Sequence, residues 1–297
     1  TGTYMATVKL MPNGAAQAEQ TQTIASDKSN PIMEKLNSNP FSITDWEFKG
    51  WNTKADGSGT YYAENGTVSV KHGDSLPLYA QWAKYGTDGS ITVPGTDLIP
   101  GNGDDVTVKP GNGGSLGRDD NGTITVPNGG SVTTPKGEID MPNGGTVKPN
   151  GEITIKQPDG KPDIVVKPGE GGKDDTKTTF TVTYKSGEAG VADKVVYSTK
   201  TNDNVDAKIT VRKDIFAYEG HVFAYWTNAQ GATVNVGTEL EEDTVLTAHW
   251  YKQDSDGSIT VPGNNGEIVV KPDPENPKNK PVVKEDGTVT VPGNPGM

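Results

Sequence analysis

"DGSITVPG" occupies Asp88–Gly95 and returns letter for letter at Asp256–Gly263, 168 residues further on. Ile91 and Val93 alternate with Ser90 and Thr92, so one face of a short extended segment is apolar. Asp-Gly precedes the segment and Pro-Gly follows it. That pattern predicts a half-buried strand of three or four residues between two turns. The same grammar fills the chain around each copy. Between Gly86 and Asp175, 90 residues hold 20 Gly and 10 Pro, in phrases such as "GTITVPNGG", "EITIKQPDG" and "DIVVKPGEGG". From Asp256 onward the text is of the same kind and ends in "GTVTVPGNPG". In each phrase proline is expected to close the strand, and Asn-Gly, Asp-Gly or Gly-Gly to make the turn.

One such unit cannot fold alone. Ordering eight residues costs on the order of 8–16 kcal/mol, while burying two Val or Ile side chains returns about 3–6 kcal/mol. Either the units stack, as in a β-solenoid or fibre, and bury one another's Val and Ile, or the tract stays extended as a polyproline-like stalk. The regular Ile-x-Val-Pro alternation favours stacking.

Outside the tracts the composition changes. All twenty Phe, Trp and Tyr fall in two blocks, ten from Tyr4 to Tyr85 and ten from Phe180 to Tyr251. Large side chains supply most core burial, so these blocks can build cores. Four segments follow: 1–85 and 176–251 as aromatic modules, 86–175 and 252–297 as Gly/Pro-rich tracts. In the first block "YMATVKL" (Tyr4–Leu10), "WEFKGW" (Trp46–Trp51) and "LPLYAQW" (Leu76–Trp82) alternate as strands do. "PIMEKLNS" (Pro31–Ser38) is read as a short helix with Ile32, Met33 and Leu36 on one face and proline in its first turn. In the second block "HVFAYW" parallels "WEFKGW" and "DTVLTAHW" parallels "SLPLYAQW". Trp51 to Trp226 is 175 residues and Trp82 to Trp250 is 168. The difference lies between the paired tryptophans, where the first block has "KADGSGT" and the second only "AQGA".

"FKGWNTKADGSGTYY" followed by "LYAQW" resembles the internalin-type B-repeat, also called the Listeria–Bacteroides repeat, over residues 3–82. Residues 176–250 resemble it more loosely: Ala224 and Tyr225 stand where Lys49 and Gly50 precede the tryptophan, and the "ADGSGT" loop is missing. The resemblance implies a small β-grasp-like domain, found in tandem on secreted and surface proteins of bacteria, with a spacer or adhesive role rather than catalysis. The expected architecture is therefore mainly β: two β-grasp-like modules joined and followed by short-strand repeat tracts.

Composition excludes several functions. The net charge is −12 and no Lys/Arg cluster stands against it, which disfavours nucleic acid. No run of 18 apolar residues provides a membrane span. No leader segment is read at the start, and a chain that does not begin with Met is read as a piece of something longer. The absence of Cys excludes disulfides and thiolate chemistry and suits an exported protein.

Candidate chemistry is sparse. "GGSLG" (Gly113–Gly117) has the letters of a nucleophile elbow but lacks the strand–turn–helix setting and a nearby His, so it reads as a turn. "GEGGKDD" (Gly169–Asp175) lacks the Walker spacing and reads as a linker. His72, His221 and His249 show no metal-ligand spacing; His249 takes the place of Gln81 and belongs on a strand face. Paired acids around glycine admit calcium, with Asp254 and Asp256 of "DSDG" as the candidate ligands; Asp in a turn is the competing reading. Trp46, Trp51, Trp82, Trp226 and Trp250 read as core, with stacking on sugar rings as the alternative. Tyr61 and Tyr62 are adjacent, so a strand points them to opposite faces. One of them is expected to be exposed, and the pair are the candidate ligand contacts. "NGT" at Asn65 and Asn121 matches a glycosylation pattern and equally marks Asn-Gly turns. No nucleophile–base pair, metal cluster or cofactor loop emerges, so an enzyme is not expected. The expected role is a stalk, spacer or fibre segment of a bacterial extracellular or cell-surface protein. An adhesin module for glycan or host protein, and a self-assembling filament subunit, are the alternatives.

Overall fold

A computed structural model describes residues 3–167, 173–174, 177–202 and 204–293. The protein is mainly β, with 46% of residues in strands, several sheets and no closed barrel. Among the described residues there is no helix, hence none long and apolar enough to cross a membrane. The chain divides into two compact units, 1–172 and 173–297.

In the first unit the aromatic block forms β1 (Tyr4–Met11), β2 (Gln20–Ser26), β3 (Ile32–Lys35), β4 (Glu47–Asn52), β5 (Tyr61–Tyr62), β6 (Thr67–Val70) and β7 (Ser75–Tyr85). The main sheet runs β2–β1–β7–β4–β5. Its first and last long strands, β1 and β7, are parallel neighbours, and the other pairs are antiparallel. The β3–β6 pair contributes Ile32, Val68 and Val70 to the core that Val8, Leu10, Ile24, Trp51 and Leu78 form on the sheet. Residues 31–38 are thus not helical. Val68 and Val70 alternate on β6 and need a partner strand, and Ile32 pairs with Val70 while Lys35 pairs with Thr67. The strand turns Ile32 inward and leaves Met33 67% exposed, where a helix would have put both on one face. Tertiary pairing overrides a short helical pattern here.

The tract that follows is ordered over its described residues up to 167. It forms β8 (Ile91–Val93), β9 (Val106–Lys109), β10 (Gly117–Arg118), β11 (Ile124–Val126), β12 (Gly130–Thr134), β13 (Gly137–Met141), β14 (Gly145–Val147), β15 (Ile153–Ile155) and β16 (Ile164–Val166). The chain alternates between two antiparallel sheets. One extends the module sheet as β7–β8–β9–β12–β13. The other runs β10–β11–β14–β15–β16. Alternate residues turn inward: Ile91, Val93, Val106, Val108, Ile124, Val132, Ile139, Val147 and Ile153 are all 4% exposed or less. No strand exceeds five residues, so stability comes from stacking many short strands, as the energetics above require.

One turn recurs at the strand starts. In Gly86–Ser90, Lys148–Glu152, Asp254–Ser258 and Lys284–Thr288 the first residue donates its N–H to the fifth carbonyl and accepts from the N–H of the fourth. The fourth is always Gly, with φ of 84, 84, 94 and 86°. The third, Asp88, Asn150, Asp256 or Asp286, accepts the fifth N–H on its side chain at 2.9–3.0 Å. This is a three-residue hairpin loop with glycine in the left-handed region. "DGSITVPG" therefore recurs because it encodes one hairpin and its returning strand.

The second unit contains β17 (Lys173–Asp174), β18 (Lys177–Lys185), β19 (Lys194–Thr201), β20 (Ile209–Thr210), β21 (His221–Thr227), β22 (Thr233–Val234), β23 (Glu239–Leu240), β24 (Thr244–Gln253), β25 (Ile259–Gly263), β26 (Gly266–Val270), β27 (Val282–Val283) and β28 (Val289–Thr290). Its sheet, β19–β18–β24–β21–β22, again has a parallel central pair, β18 and β24. The β20–β23 pair stands where β3–β6 does. Proline does not close the strand here, because β25 continues through Pro262 to Gly263. Asp254 bonds Ser258, so Lys252–Thr260 is the next hydrogen-bonded pair, and Ile259 and Val261 turn their amides to β26. Pro262 faces Glu267 at a non-bonded position, where a missing N–H leaves no ladder bond unmade.

Candidate functional site

The first unit carries an open groove of about 390 Å³, lined by Phe48, Lys49, Gly50, Tyr61, Glu64, Tyr85, Arg118 and Asp120. Its floor begins at a bulge in β4. Phe48 pairs with Trp82 and Trp51 with Ala80, leaving Lys49 and Gly50 out of register. Gly50 has φ 105°, and a Cβ there would lie 2.5 Å from Cε2 of Tyr61. The glycine thus lets the Tyr61 ring lie against the strand backbone. Lys49 holds its ammonium 4.8 Å from the centre of the Tyr85 ring and 3.8 Å from Glu47. From the tract, Arg118 donates to the Asp119 carbonyl at 3.3 Å.

The loop beside the groove is "NTKADGSGT" (Asn52–Thr60). Asn52 is fully buried and organises it. Its Nδ2 donates to the Gly57 carbonyl at 3.0 Å, and its Oδ1 accepts from the N–H groups of Lys54 at 3.0 Å and Gly59 at 2.9 Å. Burial opposes ionisation of Asp56, yet bonds from the Ser58 hydroxyl and N–H and the charge of Lys54 outweigh it and hold the carboxyl below its usual range. The outer side of this loop receives the tract. Asn121 donates to the carbonyls of Gly57 at 2.8 Å and Gly59 at 2.9 Å. The second unit has only the tight turn Asn228–Ala232 at this place. There the tract is tied to the strands themselves: Tyr251 donates to the Gly287 carbonyl at 3.0 Å, and Val283 and Val289 pack with Tyr225 and Tyr251.

The candidate residues fall as follows. Tyr61 lines the groove, and Tyr62 packs on the core. They do point to opposite faces, but both are half-buried rather than one being exposed, because Gly50 gives Tyr61 a backbone to lie on. Trp51 and Trp226 are fully buried and Trp82 nearly so, while Trp46 and Trp250 are half-buried against the cores. His249 lies on β24, stacked on Tyr225 with ring centres 4.6 Å apart and bonded to the Thr227 hydroxyl at 2.8 Å. Asp256 closes its turn on Ser258, and Asp254 joins the same turn through its backbone. Among the described residues no group of three metal-ligating side chains converges. Asn65 has φ 60° and accepts from Ser38, and Asn121 is committed to the loop. Most of "GEGGKDD" lies outside the described residues.

Sequence reasoning did not single out Asn52, Tyr85 or Arg118, and it read Asn121 only as a glycosylation pattern or a turn. Only the paired glycines of "ADGSGT" signalled that something approaches this loop closely. Compared with protein-family models, with curated proteins and with solved structures, the chain shows no significant match.

Proposed function

We propose that the protein is a rigid spacer: a stalk or fibre segment of a bacterial extracellular or cell-surface protein, built of two β-grasp-like modules of B-repeat type with structured tracts. It works as a mechanical element and not as an enzyme. One observation carries this reading. The Gly/Pro-rich tract of the first unit is folded into short buried strands and pinned to its module through Asn121, so nearly twice the module's length resists extension as one body. The mixed sheet with parallel β1 and β7, and its counterpart with β18 and β24, supports the β-grasp likeness.

Single-molecule force spectroscopy tests this. At roughly 3.3–3.6 Å per residue, a first unit that yields as one body releases about 57–62 nm of chain. A step near half that length, with residues 86–167 extending at low force, makes the tract a tether and sinks the spacer reading.

The groove supports a second role, adhesion. Two tyrosine rings flanked by Lys49, Arg118, Glu64 and Asp120 offer both a stacking face and hydrogen-bonding groups to a sugar. Glycan-array binding lost on Tyr61→Ala but kept in Tyr62→Phe is the expected signature. Equal behaviour of wild type and Tyr61→Ala removes it.

A further inference from the structure

β26 is a bare edge whose counterpart in the first unit is covered. β8 and β25 each follow the same turn, and β9 and β26 pair with them in the same register: Ile91–Val108 matches Ile259–Val270, and Val93–Val106 matches Val261–Ile268. On β9 the outer edge is taken by β12, through Thr107–Thr133 and Lys109–Ser131, and Val106 is 1% exposed. Among the described residues no strand pairs with the outer edge of β26, and Ile268 and Val269 are 58% and 48% exposed. The alternation set by the Asp254–Ser258 turn points the amides of Glu267 and Val269 to that edge, and Lys271 follows directly after the end of β26. An apolar strand with a free ladder is a pairing template.

We propose that β26 pairs antiparallel with β26 of a second copy of this chain, about a two-fold axis through Val269. Three features specify this partner. The bare edge is the same on both copies, so a two-fold contact takes the exposed Ile268 and Val269 of each out of water together. Val269 turns both its N–H and its carbonyl outward, as the central residue of a two-fold hydrogen-bonded pair must. Centring on Val269 sets Glu267 of each copy opposite Lys271 of the other, so the termini of the contact are complementary in charge. The contact goes beyond the spacer reading, because it joins chains. Its failure is separable from failure of that reading, since the force trace of the first unit does not involve β26.

Sedimentation velocity of the full chain, from micromolar to near-millimolar concentration, tests it. The expected result is a monomer–dimer equilibrium. Glu267→Lys and Lys271→Glu each weaken it about tenfold, as two like-charge contacts replace two attractive ones. The double swap restores it, which a folding defect would not. Val269→Pro, which removes the central donor, leaves a monomer with unchanged circular dichroism. A wild-type chain that stays monomeric overturns the proposal, as does a dimer indifferent to Val269→Pro or a double swap that fails to restore association. Growth into open polymers also overturns it, since that requires a different strand, such as the similar β16, as partner.

Discussion

Asn121 reaches across 64 residues of chain to place its amide on the Gly57 carbonyl at 2.8 Å. The same nitrogen serves Gly59. The contact adds a side-chain tie between module and tract to the β7–β8 pairing, and it lands on a loop already held from inside by Asn52. Two asparagines thus clamp one glycine loop from opposite sides.

Asn121→Asp tests the clamp. A carboxylate cannot donate, so both bonds become contacts between oxygens, and the first unit should lose about 1–3 kcal/mol. The expected readout is earlier cleavage of the Asn52–Thr60 loop in limited proteolysis, with the second unit unchanged. Equal cleavage rates would show that the clamp contributes nothing.

Gly50→Ala should remove the Tyr61 platform. At φ 105° an L-residue is strained, and its Cβ would meet the Tyr61 ring at 2.5 Å. A destabilisation of about 1–3 kcal/mol is expected, with a shift of the Tyr61 ring resonances. Tyr61→Ala in the same background should recover part of the loss, because the clash partner is gone.

The two buried tryptophans offer a paired comparison. Trp226 donates its indole N–H to the Arg212 carbonyl at 2.8 Å, whereas the Trp51 indole N–H is buried without a partner. Replacement by Phe costs volume at both sites. Only at Trp226 does it also remove a made bond and strand a carbonyl. Trp226→Phe should therefore cost about 1 kcal/mol more than Trp51→Phe, measured as the difference in urea unfolding of the two units.

The turns predict an acid response. Asp88 and Asp286 are held below the usual carboxylate range first by side-chain bonds to Ser90 and Thr288, and Asp256 first by the Ser258 N–H. A lowered folded pKa adds stability that is present above the unfolded value of 3.8 and is lost as pH falls through the folded value. Side-chain carbonyl shifts in an NMR titration should place all three midpoints below 3.8. Asn at each position should keep the turn while abolishing that titration. Midpoints at or above the ordinary value would refute the cap.

Much of the architecture is legible along the chain. Period-two alternation in "YMATVKL" and "LPLYAQW", and in the Ile-x-Val phrases of the first tract, states which residues turn inward, because a strand alternates faces whatever lies beside it; the same phrase at 268–270 leaves Ile268 58% exposed. Asp-Gly states where the hairpins turn, because only glycine takes the left-handed position without strain. The matched tryptophans announce two modules of one plan. These are local properties, set by each residue and its near neighbours. What the strands pair with is not local. Residues 32–35 became a strand because β6 offered a partner, the tract folded because its strands interleave between two sheets, and the Asn121 clamp spans two segments with no shared pattern. The groove around Tyr61 exists only once β4, β7 and the tract meet. Pairing partners and convergent side chains depend on contacts distant in sequence, and only the tertiary structure decides them.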